Sequence, residues 1–161
     1  SYFRLHRKKI TPIYDESEEF ELGKGKVIID GSDLTIIATG AILVAEAIKA
    51  AEALSEKGIS AAVIDMHTVK PIDQDLVVEY ARKTGAVLTA ENHQVRGGLG
   101  SAVAEVLTES YPVPQARIGV QDEFGEVGTQ EYLQGRFGMT AENVVEQAQG
   151  LLEKKRTLAT A

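Results

Sequence analysis

Residues 87–105, VLTAENHQVRGGLGSAVAE, contain the features around which the rest of the chain is organised. The apolar run at 86–88 is typical of a buried strand, and the chain turns polar at residues 91–93. A glycine pair follows at 97–98, and from Leu99 onward the apolar residues recur at helical spacing. The stretch therefore predicts a strand, a polar loop, a glycine turn and a helix.

The start of that helix is a candidate binding site. A helix start offers unpaired N–H groups and a positive dipole end, which attract anions, and parallel sheets form crevices at the carboxyl ends of their strands. The alternative is that the glycines only turn the chain and let helix and strand pack closely. The dinucleotide fingerprint is incomplete, because Val103 stands where its third glycine belongs. The residues of this possible anion or interface loop are Glu91, His93, Arg96, Gly97, Gly98 and Gly100.

The composition is that of a globular protein. The chain has 161 residues, of which 43% are hydrophobic, and a formal net charge of -7, which argues against a nucleic-acid partner. The absence of cysteine excludes disulfides and thiolate chemistry and is compatible with a cytoplasmic protein. No apolar run approaches the roughly 20 residues that span a bilayer, so we expect no membrane partner.

Four apolar strands alternate with helical segments, which predicts a doubly wound parallel sheet. A shorter strand is expected at 26–29, before the alternation begins. Asp73 is predicted to cap the second helix, and Thr140 a final helix that ends near Lys154. The four main strands are expected at 34–38, 61–66, from 86 onward and at 116–120.

The two ends of the chain differ from its centre. Residues 1–9 are basic, whereas acidic residues crowd between 15 and 21, and this asymmetry is typical of a linker. We expect residues 1–25 to be the end of an upstream domain and a linker, 26–154 to be the folded domain, and 155–161 to be a frayed tail. Because the chain begins with serine inside a patterned segment, we expect a fragment or a processed chain.

Polar residues follow each predicted strand, and parallel strands would bring them to one edge of the sheet. His67 and His93 follow strands that we expect to be adjacent, so either is a candidate general base. The alternative for His93 is a structural or interface role. A zinc site would need three closely spaced ligands, and no nucleophile elbow is present. The polar residues at this edge are Thr39, Asp65, His67, Glu91, His93, Arg96, Asp122 and Glu123.

A long glycine-rich segment at 121–138 carries several aromatic residues. Loops of this length are usually functional or disordered, and exposed aromatic clusters tend to mark interfaces. Phe124, Tyr132 and Phe137 are therefore possible dimer contacts. The alternative is that they fold back and close the edge of the sheet.

Five pieces of the chain stand in a characteristic order: RLHRKKITPIYDE, TIIATGAILVAEAIKAAEAL, VIDMHTVKPID, ENHQVRGGLGSAVAE and RFGMTAENVVEQAQGLL. Together they resemble the C-terminal domain of the thiamine-diphosphate-dependent transketolase family. The resemblance runs from about Phe3 to Leu152 and depends on the order and spacing of several pieces. It implies a three-layer α/β/α fold with a five-stranded, mostly parallel sheet and one antiparallel strand at 26–29.

The resemblance also implies cofactors and partners. In this family thiamine diphosphate and magnesium are bound between an N-terminal and a middle domain, where a Gly-Asp-Gly motif holds the metal. This chain has no Gly-Asp-Gly, so we expect it to bind neither alone and to need those two domains as partners. The family works as a homodimer, to which the C-terminal domain contributes.

One site residue is implied by the resemblance. RLHRKK is similar to the segment that ends the middle domain, whose arginine contacts the phosphate of the sugar phosphate substrate, and Arg7 falls on that arginine. A guanidinium is always charged and binds phosphate with two donors, which suits the role. The alternative is a solvated basic linker.

Three functions remain open at this stage. The first is the structural and dimerising section of a transketolase, which transfers a two-carbon ketol unit between sugar phosphates. The second is the corresponding domain of a 2-oxo acid dehydrogenase beta subunit or of a deoxyxylulose phosphate synthase. The third is a stand-alone regulatory module that binds an anion at the 97–100 turn.

Overall fold

A computed structural model describes residue 10 and residues 12–160. They form five strands and five helices, which alternate from the second strand to the fifth, and two helices follow the last strand. The strands are β1 (Lys26–Ile29), β2 (Leu34–Thr39), β3 (Ala61–Asp65), β4 (Val87–Gln94) and β5 (Gln115–Val120). The helices are α1 (Ala41–Ser55), α2 (Gln74–Thr84), α3 (Leu99–Ser110), α4 (Gln130–Arg136) and α5 (Ala141–Ala159).

The strands form one sheet in the order β1-β3-β2-β4-β5. β1 pairs with β3 in antiparallel orientation, and the other three pairings are parallel. This confirms the predicted fold class, including the antiparallel strand at 26–29. It also corrects one expectation, which was that the strands associated with His67 and His93 are adjacent. β2 lies between β3, which precedes His67, and β4, which carries His93, and keeps these two strands about 10 Å apart.

Helices cover both faces of the sheet. α1 and α5 pack with one buried cluster, and α2 and α3 pack with the other. Neighbouring residues of β2 point to opposite faces, so Ile36 belongs to the first cluster and Ile37 to the second. The central strands are therefore apolar on both sides, as parallel sheets covered by helices require.

Most of the predicted helix ends are present. The Asp73 side chain accepts the Leu76 N–H at the start of α2, and Gly85 closes that helix with φ 64°. The Thr140 hydroxyl accepts the Asn143 N–H at the start of α5. None of the helices in the described part of the chain is both long and apolar enough to cross a membrane.

Two predicted boundaries were wrong. β4 does not end before the polar residues but continues to Gln94, because Glu91 still pairs with Thr39 of β2 and Gln94 with Val120 of β5. α5 does not end near Lys154 but runs to Ala159. Its last turns are held by Lys155, whose Nζ donates to the carbonyl oxygens of Asp33 and Thr84 at 3.0 and 2.6 Å.

Candidate functional site

Glu91 lies at the point where β4 passes into α3. Its side chain is 2% exposed, and both carboxylate oxygens accept backbone N–H groups from the first turn of α3. Leu99 N donates to Oε2 and Gly100 N donates to Oε1, each at 2.8 Å. The anion at this helix start is therefore the chain's own carboxylate, and an external anion would have to displace it.

The neighbouring glycines leave room for this carboxylate. A Cβ on Gly98 would overlap with Glu91 Oε2, and a Cβ on Gly100 would come within 2.6 Å of Arg117 Cδ. Gly97 has φ +79°, which side chains rarely adopt, and its N–H donates to Ser101 Oγ at 2.8 Å. The packing role considered for the glycines thus has a specific cause at Gly98, which is the buried carboxylate behind it.

His93 and Arg96 extend from the same segment toward solvent. The His93 side chain is 59% exposed, and its Nδ1 lies 4.0 Å from Glu91 Oε2 and 2.9 Å from the Gln94 carbonyl oxygen. Arg96 Nη1 lies 3.4 Å from Asp122 Oδ2 in an exposed ion pair. Gln94 and Asp122 also exchange two hydrogen bonds, so the residues after β4 and β5 hold each other in place.

A second polar centre lies at the carboxyl ends of β2 and β3. There a cleft of about 450 Å³ is bordered by residues of both strand ends, of the start of α1 and of the preceding linker. Asp65, at the end of β3, is 7% exposed, and its Oδ2 accepts the Tyr14 hydroxyl at 2.9 Å. Its Oδ1 has no hydrogen-bond partner among the described residues. Burial raises the pKa of Asp65, and the Tyr14 hydrogen bond offsets this only in part.

The sequence placed Thr39, Asp65 and His67 at this edge but did not assign Tyr14 to it. Tyr14 belongs to the acidic linker, and no local pattern indicated that the linker returns to the sheet. The Phe20 ring lies 5.0 Å from both the Tyr14 and the His67 rings, in edge-to-face geometry. An aromatic pair within a charged segment was the only available signal.

The segment after β5 presents apolar side chains to solvent. Phe124 and Val127 are 96% and 102% exposed, and Tyr132 is 52% exposed. Phe137 differs, because it is partly buried against the cluster under α1 and α5. Of the three possible dimer contacts, Phe124 and Tyr132 are therefore exposed to solvent, whereas Phe137 is packed against the core.

Ion pairs hold this exposed segment in shape. Arg136 donates from Nη2 to Glu123 Oε2 and from Nε to Glu126 Oε1, each at 2.7 Å. The Tyr132 hydroxyl donates to the other oxygen of Glu126 at 2.8 Å. These two donors, Tyr132 first, lower the pKa of Glu126.

The described residues lack a cluster of metal-ligating side chains. They contain no group of three or more His, Cys, Asp or Glu side chains that could hold a metal ion. Glu91, the carboxylate at the start of α3, is used by the N–H groups of that helix. Arg7, the predicted phosphate-binding residue, lies outside the described residues.

The comparison with family models is decisive. Residues 23–144 match the model of the transketolase C-terminal domain. The chain belongs to the transketolase C-terminal domain family. The complete transketolases and deoxyxylulose phosphate synthases that contain such a domain are thiamine diphosphate dependent.

Individual relatives agree with this assignment. A 6-deoxy-6-sulfo-D-fructose transketolase subunit of Clostridium sp. (strain MSTE9) is 53% identical over 154 residues, covering 96% of this chain and 48% of that protein. A 1-deoxy-D-xylulose-5-phosphate synthase of Syntrophotalea carbinolica is 41% identical over 143 residues, covering 88% of this chain and 22% of that protein. This transketolase-type chain thus spans about half the length of the first relative and less of the second.

A solved structure described as a split gene transketolase, inactive beta4 tetramer, superposes with a TM-score of 0.88. It is 48% identical, and the match covers 92% of this chain and 48% of that one. The transketolase-type fold of this chain is thereby supported in three dimensions as well as in sequence.

We expect Glu91→Gln to lower the free energy of unfolding by about 1–3 kcal/mol. The amide keeps the shape of the side chain but replaces one accepting oxygen with an NH₂ group that opposes a backbone N–H. Urea denaturation followed by circular dichroism measures the change. Glu105→Gln, on the exposed face of α3, is the matched control and should stay within about 0.5 kcal/mol of the parent chain. Equal effects of the two substitutions would contradict the capping role.

Proposed function

We propose that this chain is the C-terminal section of a transketolase. In this role it is a structural and dimerising part of an enzyme that transfers a two-carbon ketol unit between sugar phosphates. The observation that carries the proposal is the match of nearly the whole chain to a transketolase subunit and to a split-gene transketolase structure. The geometry is compatible with a supporting role, because Glu91, Arg96 and Asp122 are paired within the domain.

In the complete enzyme, thiamine diphosphate with magnesium supplies the electron sink for the transfer. We assign their binding to the N-terminal and middle domains, and the absence of a group of three or more His, Cys, Asp or Glu side chains that could hold a metal ion among the described residues supports this assignment. Those two domains are then the partners of this chain, and it acts in the cytoplasm. Its contribution is to support the assembled subunit and to present Arg7 to the substrate.

To identify the donor and acceptor sugars, the complete enzyme is assayed with a panel of candidate substrates rather than with one pair. The relative with 53% identity is named for 6-deoxy-6-sulfo-D-fructose, whose charged group is a sulfonate. A guanidinium binds sulfonate and phosphate by the same paired hydrogen bonds. The panel therefore includes both sulfonated and phosphorylated sugars.

The second candidate is the corresponding domain of a deoxyxylulose phosphate synthase. It is favoured by the relative that is 41% identical over 88% of this chain. That function shares the fold and the cofactor but differs in the reaction of the complete enzyme, because a 1-deoxy product requires a two-carbon donor other than a ketol. Formation of 1-deoxyxylulose 5-phosphate by the complete enzyme, in place of ketol transfer, would select it.

The isolated chain should show no turnover above background, whereas the chain combined with its N-terminal and middle domains should transfer ketol units. The assay follows transfer from xylulose 5-phosphate to ribose 5-phosphate with thiamine diphosphate and magnesium. The physical reason is that the cofactor site lies in the other domains. Turnover by this chain alone would refute the assignment of cofactor binding to its partners.

In the complete enzyme, Arg7→Ala should reduce the use of a phosphorylated acceptor more than the use of an unphosphorylated one. Loss of a charge-assisted contact should cost about 1.5–3 kcal/mol, which appears as a lower kcat/KM for the phosphorylated acceptor. Arg4→Ala, in the same basic segment, is the matched control and should leave the ratio unchanged. An equal loss for both acceptors would remove Arg7 from the phosphate site.

The chain should associate with itself through the exposed segment after β5. Phe124 is 96% exposed on a segment that Arg136 holds in shape, and a two-fold interface would use it twice. The related structure described as a beta4 tetramer supports self-association of such chains. Sedimentation at micromolar concentration should show a dimer or larger species.

Phe124→Asp or Tyr132→Asp should shift that species toward monomer without loss of the circular dichroism spectrum. Leu158→Asp is the control, because Leu158 is also exposed, at 57%, but lies near the end of α5. A monomeric parent chain, or equal effects of Phe124→Asp and Leu158→Asp, would refute this interface.

A further inference from the structure

The start of α1 is the one long helix start in the described chain without a side-chain acceptor. α1 has 15 residues, no cap hydrogen bond from a side chain and no acidic residue in its first turn. Its N-cap, Gly40, has φ +77°, and a Cβ there would meet nothing within 4 Å. The starts of the other helices receive oxygen acceptors from Asp73, Glu91, Thr129 and Thr140.

A second, independent observation lies in the same cleft. Gly40 and Ala41 line it together with Asp65, whose buried Oδ1 has no partner among residues 10 and 12–160. A buried acceptor without a donor is destabilising, so the site favours a ligand that brings a hydroxyl or an N–H group. The Tyr14 hydroxyl already occupies the other oxygen.

The topology brings these two groups together. β2, α1 and β3 form a parallel βαβ unit in which Asp65 pairs with Ala38, two residues before Gly40. A helix start binds phosphate, and an acidic residue at the end of the next strand binds sugar hydroxyls in βαβ nucleotide sites. The cleft volume of about 450 Å³ suits a small ligand, and Ile10, Pro12 and Ile13 provide an apolar wall.

We propose that this cleft binds a small phosphorylated sugar, free or as part of a nucleotide, with its phosphate at the start of α1 and a sugar hydroxyl donating to Asp65. The separation of roles fixes the orientation, because the Asp65 carboxylate repels a phosphate and attracts a donor. The site differs from the sequence-predicted anion turn at 97–100, where Glu91 takes the N–H groups. It is also independent of the catalytic proposal, because binding is measured on this chain alone.

The test is an NMR titration of the full 161-residue chain with ribose 5-phosphate, adenosine 5′-monophosphate and inorganic phosphate. Saturable shifts of the amides of residues 40–43 are expected with one or both organic phosphates, and the tighter of the two identifies the source of the sugar. Inorganic phosphate should bind more weakly, since it has no hydroxyl for Asp65. No saturable shift at millimolar ligand, shifts at the start of α3 instead, or equal affinity for inorganic phosphate would overturn the proposal.

Two variants test the two halves of the site separately: Ala41→Glu tests the phosphate half and Asp65→Asn tests the sugar half. Ala41→Glu places a carboxylate in the first turn of α1, which stabilises the helix but should weaken ligand binding about tenfold. Gln74→Glu adds the same charge at the start of α2 and should change nothing. The thermal midpoint of each variant shows that it is folded.

Asp65→Asn should weaken the binding of whichever phosphorylated sugar binds the parent chain. It should not change the binding of the dideoxy analogue of that sugar, because the analogue lacks the hydroxyls. Unchanged binding of the sugar ligand in Asp65→Asn, or unchanged binding in Ala41→Glu, would overturn the proposal.

Discussion

The buried carboxylate of Glu91 is the interaction on which this end of the domain depends. It lies in the interior and accepts two backbone N–H groups at 2.8 Å, so it joins the end of a central strand to the start of the next helix. An ionised carboxylate in an apolar interior is tolerable only with such partners. The glycine at position 98 follows from it, because a side chain there would collide with Glu91.

The two long helices α1 and α3, which begin beside the centre of the sheet, differ in how the backbone N–H groups of their first turns are satisfied. α3 has its orphan N–H groups satisfied from within the fold, whereas α1 begins at a glycine beside an open cleft. The linker borders that cleft through Tyr14, so the segment that leads in from the upstream region contributes to its wall. An occupant of the cleft would therefore contact both the domain and the linker.

The exposed segment after β5 combines apolar side chains with a charged frame. Arg136 binds Glu123 and Glu126, so the backbone between them is held while Phe124 and Val127 remain in solvent. A segment that is already ordered loses less conformational entropy when it meets a partner. This arrangement suits association better than a flexible loop would, and it lies beyond the last strand, away from the cleft beside α1.

The sequence by itself determined the alternation of strands and helices and most helix ends, because apolar periodicity and caps such as Asp73 and Thr140 are local signals. The antiparallel orientation of β1 was implied by the resemblance to the transketolase family, not by these local signals. Only the tertiary structure decided what the polar residues do. Glu91 looked like a loop carboxylate, yet strand pairing on both sides carries β4 through it and buries it. Tyr14 joined Asp65 across 51 positions of the chain, a contact that no local pattern encodes. Strand order is likewise non-local: it placed β2 between the strands associated with the two histidines and left the start of α1 beside Asp65.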